Sequence, residues 1–389
     1  MKLLRVLFAA AIALSAVSSA AFAKEAGGFM VWLGRDTTSV ERYTRDDTRL
    51  VVDQVGRSPR VLSRHFEYEL AAGGALKSLT VTVINPSAPA GAPALQSIKA
   101  TAARESLVVE VRRDTSLQVI RVAAPTGTMV VALSSPWAIY EGATMKLAAG
   151  KADSLRMKIN FLGGDNLDDM TVRRLGRDSM EIVNPEGIYH IHVDKTGHIL
   201  HIVPLKGTAQ FTVDRKPDVD LAAFAAMYSA REKEAGAMGA LSTRDTVRVT
   251  SGGGAQLWID YGRPSKRGRV IYGGVVPFGD LWRTGANAAT QFRTDKALKI
   301  GNTVVPAGFY TLWTIPSPSS WKLVINSETG QWGTAHKSEK DLFTIDMNVL
   351  ALQTPVERFT IGVTPSTDGG VITMDWDTTR ASVPFSVQP

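Results

Sequence analysis

Short alternations of apolar and polar residues dominate the chain. Between Gly28 and Arg215 they recur as FMVWLG, RLVVDQVG, HFEYEL, LTVTVI, SLVVEV, LQVIRV, MVVALS, SMEIVN, IYHIHV, HILHIV and AQFTV, divided by Gly, Pro, Asn and Asp. A period of two with turn residues at this spacing sends alternate side chains to opposite faces of a sheet. The segment therefore reads as antiparallel β, barrel-like or a sandwich. The Pro/Ala-rich NPSAPAGAPA, from Asn85 to Ala94, cannot pack a core and reads as an exposed loop inside this domain.

The period changes once in the middle of the chain. In KPDVDLAAFAAMYSAREKEAGAMGAL, residues Leu221, Phe224, Met227 and Tyr228 fall on one helical stripe, and Gly236 and Gly239 loosen its end. Asp218 or Asp220 can cap this helix, because a short carboxylate accepts from the free amides of the first turn. Its role is that of a connector packed on one of two domains. Alternation then resumes in TVRVT and AQLWIDY around the glycine turn SGGG. It continues through RVIYGG, TQFRT, GFYTLWTI, WKLVIN, LFTIDMNV, VERFTIGV and VITMDW, about nine strands in all. The predicted fold is mainly β. Two antiparallel β domains, 24–215 and 243–389, are joined by a helix within 216–242, and the second is a β-sandwich or jelly-roll-like domain.

The first residues change the picture of where this fold works. Lys2 and Arg5 precede the apolar VLFAAAIALSAV, and Ala21-Phe22-Ala23 fits a small-x-small cleavage site. Residues 1–23 read as a signal peptide cut after Ala23, the alternative being an uncleaved anchor for which the core is short. The expected location is the periplasm or the exterior. No later run is apolar enough to span a bilayer. With no cysteine in the chain, no disulfide holds the fold and no thiol chemistry is open to it. The formal charge is +7, of which Lys2 and Arg5 contribute two, leaving +5 on the mature chain. That favours anionic small molecules or envelope glycans as partners. It does not point to nucleic acid, for there is no zinc-finger spacing, basic helix or long Lys/Arg tract.

The stretch YGRPSKRGRVIYGGVVPFGDLWRTGANAAT carries a dense set of uncommon residues in order. These are Tyr261, Arg263 and Pro264; Gly268, Arg269, Ile271, Tyr272 and Gly273; Val276, Pro277, Phe278 and Gly279; then Trp282, Arg283, Gly285, Ala286 and Asn287. With PAGFYTLWTIP and VINSETGQWG downstream, the region from about Leu257 to Val363 resembles the bacterial family known as domain of unknown function 2911. The resemblance implies a shared fold and pocket, not a reaction. After Gln331-Trp332-Gly333 the family pattern has an aromatic residue followed by acids. This chain has TAHKSEKD with His336 and Lys337, so no role is carried over to that loop.

Three constellations carry candidate chemistry. Arg263, Arg269 and Arg283, with Lys266 and Arg267 nearby, face a single acid, Asp280, between Tyr261 and Asn287. The planar, always-charged fork of arginine suits carboxylate, phosphate or sulfate. Asn287 and Thr290 can add neutral hydrogen bonds, and Trp282, Trp313 and Trp332 can wall the site or stack on a sugar. The competing reading has each arginine bracing a loop through main-chain carbonyls. Second, His190 and His192 share a sheet face, and a hairpin at DKTG brings His201 beside them, or His198 if a bulge shifts the register. Three imidazoles are a known zinc arrangement, so zinc is the alternative to an expectation of no cofactor. Third, Asp165, Asn166, Asp168 and Asp169 offer oxygens to Ca²⁺ at a spacing that does not fit an EF-hand and suits a turn.

No nucleophile elbow, HExxH, P-loop or dinucleotide fingerprint is present. The expected function is an exported binding or envelope-associated module. Its alternatives are a hydrolase, metal-assisted or metal-free, and a structural envelope protein with no ligand.

Overall fold

The computed structural model describes residues 25–89, 91–131, 136–162, 164, 166–207 and 210–388. The expected signal peptide, residues 1–23, lies outside the described residues. The N-terminal alternations form one 15-stranded sheet. Its first eight strands are laid down side by side from Glu25–Leu33 to Ser116–Ala123, and seven more return from Met129–Val131 to Thr212–Arg215. The last of these pairs with the first, placing Phe29 opposite Arg215 and Val31 opposite Val213. Among the described residues the end strands, Ser116–Ala123 and Met129–Val131, are not paired with each other. One neighbour pair departs from the antiparallel expectation, because Met129–Val131 runs parallel to Ser154–Phe161.

The two faces of this sheet are covered by different helices. Helix α1, Trp137–Ala149, lies in the main core with Trp137, Ala138, Tyr140, Ala143 and Leu147 buried. Helix α2, Leu221–Ala235, packs on the opposite face, where Tyr228 and Val219 meet Val40, Val55 and Val61. The strand Asp36–Arg45 serves both sides by simple alternation: Val40 faces α2, while Glu41 and Tyr43 face α1. Asp220 caps α2, its Oδ1 accepting from Ala223 N at 2.9 Å. The connector therefore belongs to the N-terminal domain.

The C-terminal domain is a nine-stranded sheet folded into two layers by two long strands, Asp341–Pro365 and Gly369–Val387. The first of them pairs with Trp321–Asn326 along one part and with Gly369–Val387 along the rest. One core fills the space between the layers, with Leu257, Phe292 and Leu323 against Leu298, Ile300 and Phe385. This is the predicted sandwich. Among the described residues no helix is long and apolar enough to cross a membrane.

The domains touch directly. Arg35 N donates to Arg267 O at 3.0 Å, and Arg267 Nη1 donates to Asp36 Oδ2 at 2.6 Å. Gly34 permits this approach: it has φ +60°, and a Cβ there would stand 2.2 Å from Arg267 O. Farther along the junction, Lys206 Nζ reaches Asp280 Oδ2 at 2.8 Å and Thr334 Oγ1 donates to Pro185 O at 3.0 Å.

Candidate functional site

The loop Trp282–Asn287 hangs between the strand Gln256–Pro264 and the N-terminal domain. Its geometry is forced. Thr284 and Asn287 adopt φ of 53° and 62°, a region unfavourable for residues with a side chain. Thr284 is fully buried and donates to Thr314 Oγ1 at 3.1 Å, while Thr290 Oγ1 donates to Thr284 O at 2.7 Å. Gly262 lets the loop pass, since a Cβ there would meet Ala286 O at 2.1 Å. Gly333 does the same for the arginine, since its Cβ would lie 2.0 Å from Arg283 Cδ.

Two hollows open at the domain junction, of about 350 and 460 Å³, and Trp282 and Arg283 line both. The larger also holds Arg269, Asn287 and Trp332, so five of the seven sequence candidates share one cavity. The other two do not reach it. Thr290 is inside the fold and committed to Thr284 O. Arg263 is saturated: Nε donates to Phe359 O at 3.1 Å, Nη1 to Asp245 Oδ2 at 2.9 Å and Nη2 to Thr360 Oγ1 at 2.8 Å.

The expectation that three guanidinium groups converge is thus corrected. Arg269, although on the cavity wall, spends Nε on Lys266 O at 3.1 Å and Nη2 on Ser265 O at 2.6 Å. The adjoining Lys266 and Arg267 are paired with Asp377 and Asp36.

Arg283 differs from all of these. No carboxylate is paired with it among the described residues. Among the described residues its one hydrogen bond is a long one, from Nη2 to Gly207 O at 3.5 Å, and its buried Nε has no acceptor. Burial without a compensating acid pushes the guanidinium down to about 10. The Asn287 side-chain amide makes no hydrogen bond among the described residues; only its main-chain oxygen is used, by Gly333 N. Trp282 is a core residue as well as a wall, stacked on Trp376 at 5.9 Å and edge-on to Phe359 at 5.0 Å. Trp332 is 45% exposed at the rim, free to cover a ligand.

His201 joins the histidine face, but through a register shift between His192 and Val193 that places it opposite His192 and not His190, which lies opposite Val203. Ring centroids are 5.2 Å apart for His190 and His192, and 6.3 Å for His192 and His201. His201 is committed to Asp214 Oδ1 at 2.8 Å. Among the described residues no group of three or more His, Asp or Glu is placed to hold a metal ion. In the aspartate run, Asp165 lies outside the described residues, and Asp169 pairs with Lys158 at 2.7 Å.

One residue escaped the sequence reading of this site: His336, which lines the smaller hollow beside Arg283 with Trp313, their rings 4.8 Å apart. His336 Nε2 meets Asp341 Oδ1 at 2.8 Å. The spacing of His336 and Asp341 is visible in the sequence; that this loop folds back onto Arg283 is not.

Residues 242–385 match the family of proteins of unknown function DUF2911. The resemblance drawn from Tyr261 to Asn287 therefore extends over nearly the whole C-terminal sandwich, and the DUF2911 region supplies Arg283, Asn287, Trp332 and His336. The N-terminal sheet has no family match. A DUF1089 family protein from Pseudomonas aeruginosa is similar in structure at 13% identity. The alignment covers 46% of this chain and 94% of that one, with a TM-score of 0.30. A botulinum neurotoxin type C structure aligns over 95% of this chain and 90% of that one, at 11% identity and a TM-score of 0.12. Likenesses this weak carry no argument. No curated protein matches the chain.

Proposed function

We propose that this is an exported binding protein that captures a small anion, or the anionic group of an envelope glycan, between its two domains. The signal-like N-terminus supports the location. One observation carries the binding reading: Arg283 is half-buried, and among the described residues its buried Nε has no acceptor and no acid is paired with it, while it lines two open hollows. A buried cation without a counter-charge costs stability, and a carboxylate or phosphate placed there would offset that cost with charge-assisted hydrogen bonds. Asn287 and Trp332 suit the hydroxyls and the face of an attached sugar.

Calorimetric titration with inorganic phosphate, sulfate and uronic acids tests the reading. At least one anion is expected to bind, and Arg283→Met is expected to weaken it roughly 10- to 100-fold, the equivalent of about 1.5–3 kcal/mol for bonds to a charged group. Wild-type protein indifferent to every one of these anions would end the proposal.

A stability contrast separates it from the brace reading. Arg263→Met breaks three good hydrogen bonds and is expected to cost about 1.5–3 kcal/mol. Arg283→Met removes a half-buried charge with no acid partner among the described residues and is expected to leave the ligand-free melting temperature unchanged or higher. Equal losses in both variants would favour a purely structural arginine set.

A further inference from the structure

We infer that the smaller hollow is a hydrolytic site for phosphodiesters, with His336 as the general base. The inference rests on the anion-binding reading of Arg283. It begins from how His336 is held. Its Nε2 lies 2.8 Å from Asp341 Oδ1, and Asp341 is itself fixed by Asn326 Nδ2 at 2.8 Å. Asn326 is fully buried; Nδ2 also donates to Lys337 O at 2.9 Å, and its Oδ1 accepts from Glu328 N at 2.8 Å. Each partner in the series Asn326, Asp341, His336 is therefore oriented by the one before it.

A carboxylate at Nε2 selects the tautomer with the proton on that nitrogen, leaving the lone pair on Nδ1. Nδ1 has no hydrogen-bond partner among the described residues. The ring is further fixed edge-on against Trp313. The loop that carries it is pinned to the N-terminal domain through Thr334 and Pro185. A base held in one tautomer thus shares a walled hollow of about 350 Å³ with a guanidinium that has no acid partner among the described residues. Oriented base and buried electrophile are two of the three parts a hydrolytic site needs. The third, the nucleophile, is water: Thr334, the hydroxyl residue on this wall, is engaged with Pro185 O.

The substrate class follows from Arg283 being a cation on this wall with no paired acid among the described residues. Attack on a carboxylic ester would need one set of donors for the developing oxyanion and another for any anionic handle. In a phosphodiester the held group and the reacting group are the same, so Arg283 can both bind the phosphoryl oxygens and stabilise the added charge of the transition state. His336 Nδ1 takes a proton from water as the water oxygen forms a new P–O bond. The P–O bond to one alcohol then breaks, and the departing alkoxide receives the proton from the imidazolium. A phosphomonoester and an alcohol result, with one water consumed and no change of oxidation state. Asp341 acts as a positioning residue.

The test uses the full mature chain with bis(p-nitrophenyl) phosphate, beside a calorimetric titration with inorganic phosphate. Wild type is expected to release p-nitrophenol, with inorganic phosphate as a competitive inhibitor. His336→Gln is expected to lose at least roughly a hundredfold in kcat/KM while keeping phosphate affinity and melting temperature. Asp341→Asn is expected to lower kcat with KM unchanged, a split that a merely structural residue would not give. Wild type that binds phosphate but does not turn over the diester overturns the catalytic inference and leaves the binding reading in place. Protein that does neither removes both. Turnover that survives in His336→Gln also overturns it.

Discussion

Replacing Glu141 by leucine is expected to destabilise the N-terminal domain by about 3–5 kcal/mol, the range for stripping one partner from a buried ion-pair network. Glu141 sits on α1 with no exposure, in the middle of a sheet otherwise packed with apolar side chains. It is tolerated there because both oxygens are fully used. Oε1 accepts from Tyr43 Oη at 2.5 Å and Arg45 Nη1 at 3.2 Å; Oε2 accepts from Ile199 N at 2.8 Å and from Arg215 Nη2. These partners lie early and late in the chain but on neighbouring strands at the centre of the sheet, Asp36–Arg45, Ile199–Gly207 and Thr212–Arg215, so this one side chain ties the outward and returning halves to the helix where they meet. Leucine restores apolar volume, yet it leaves two mostly buried guanidinium groups without their principal acid and an amide without its acceptor. For a domain of this size the loss corresponds to a melting shift of about 10 °C. Urea unfolding of the two proteins measures it. A leucine variant as stable as wild type would mean that the sheet does not depend on this network.

The same helix marks where sequence reasoning stopped. In WAIYEGATMKLAA the apolar residues do not gather on one stripe, because the helix is enclosed and buries Trp137, Ala138, Tyr140, Glu141 and Ala143 around much of its girth. Without a polar face there is no 3.6-residue signal to read. Helix α2 shows the converse: half-exposed on the outer face, it carries Leu221, Phe224 and Tyr228 as a clear stripe and was legible, cap included. Strands were legible for a similar reason, since most have one buried and one wetter face.

At the junction, the residues that build the cavity were visible as a cluster of Arg, Trp and Asn, but their roles were not. Residue type alone gives Arg263 and Arg283 the same fork of donors. Only the fold places Phe359 O, Asp245 and Thr360 around the first and gives the second, among the described residues, one long hydrogen bond and no acid. A left-handed Thr284 and a glycine at position 333 that admits Arg283 Cδ are likewise consequences of tertiary approach, not of local pattern.

Glu41 supplies the other large expected effect, a fall in stability as pH rises. It is wholly buried beneath α1, and Oε1 accepts from Ala138 N at 3.0 Å. It thereby caps a helix whose own N-cap, Pro136, offers no side-chain acceptor. Burial pushes its carboxyl from 4.5 up to about 8; hydrogen bonds from the amides of Ala138 and Trp137 and from Gln54 pull the other way, and the nearby Glu141 adds to the rise. The folded state therefore holds this proton more tightly than the unfolded state does. The resulting stabilisation is complete below about pH 4.5 and is lost as pH climbs to about 8. At about 1.4 kcal/mol per pH unit the loss across that window is about 3–5 kcal/mol. Glu186, whose carboxyl is also raised by burial, contributes in the same direction, so the Glu41 component is isolated by comparison with Glu41→Gln. Glutamine resembles the protonated acid, carrying a carbonyl acceptor for Ala138 N and no charge. The variant is expected to match wild type near pH 5 and to exceed it near pH 8 by most of that difference, read from urea midpoints. Parallel curves for the two proteins across the window would mean that Glu41 is ionised in the fold, with its negative charge held by the amides at the start of α1.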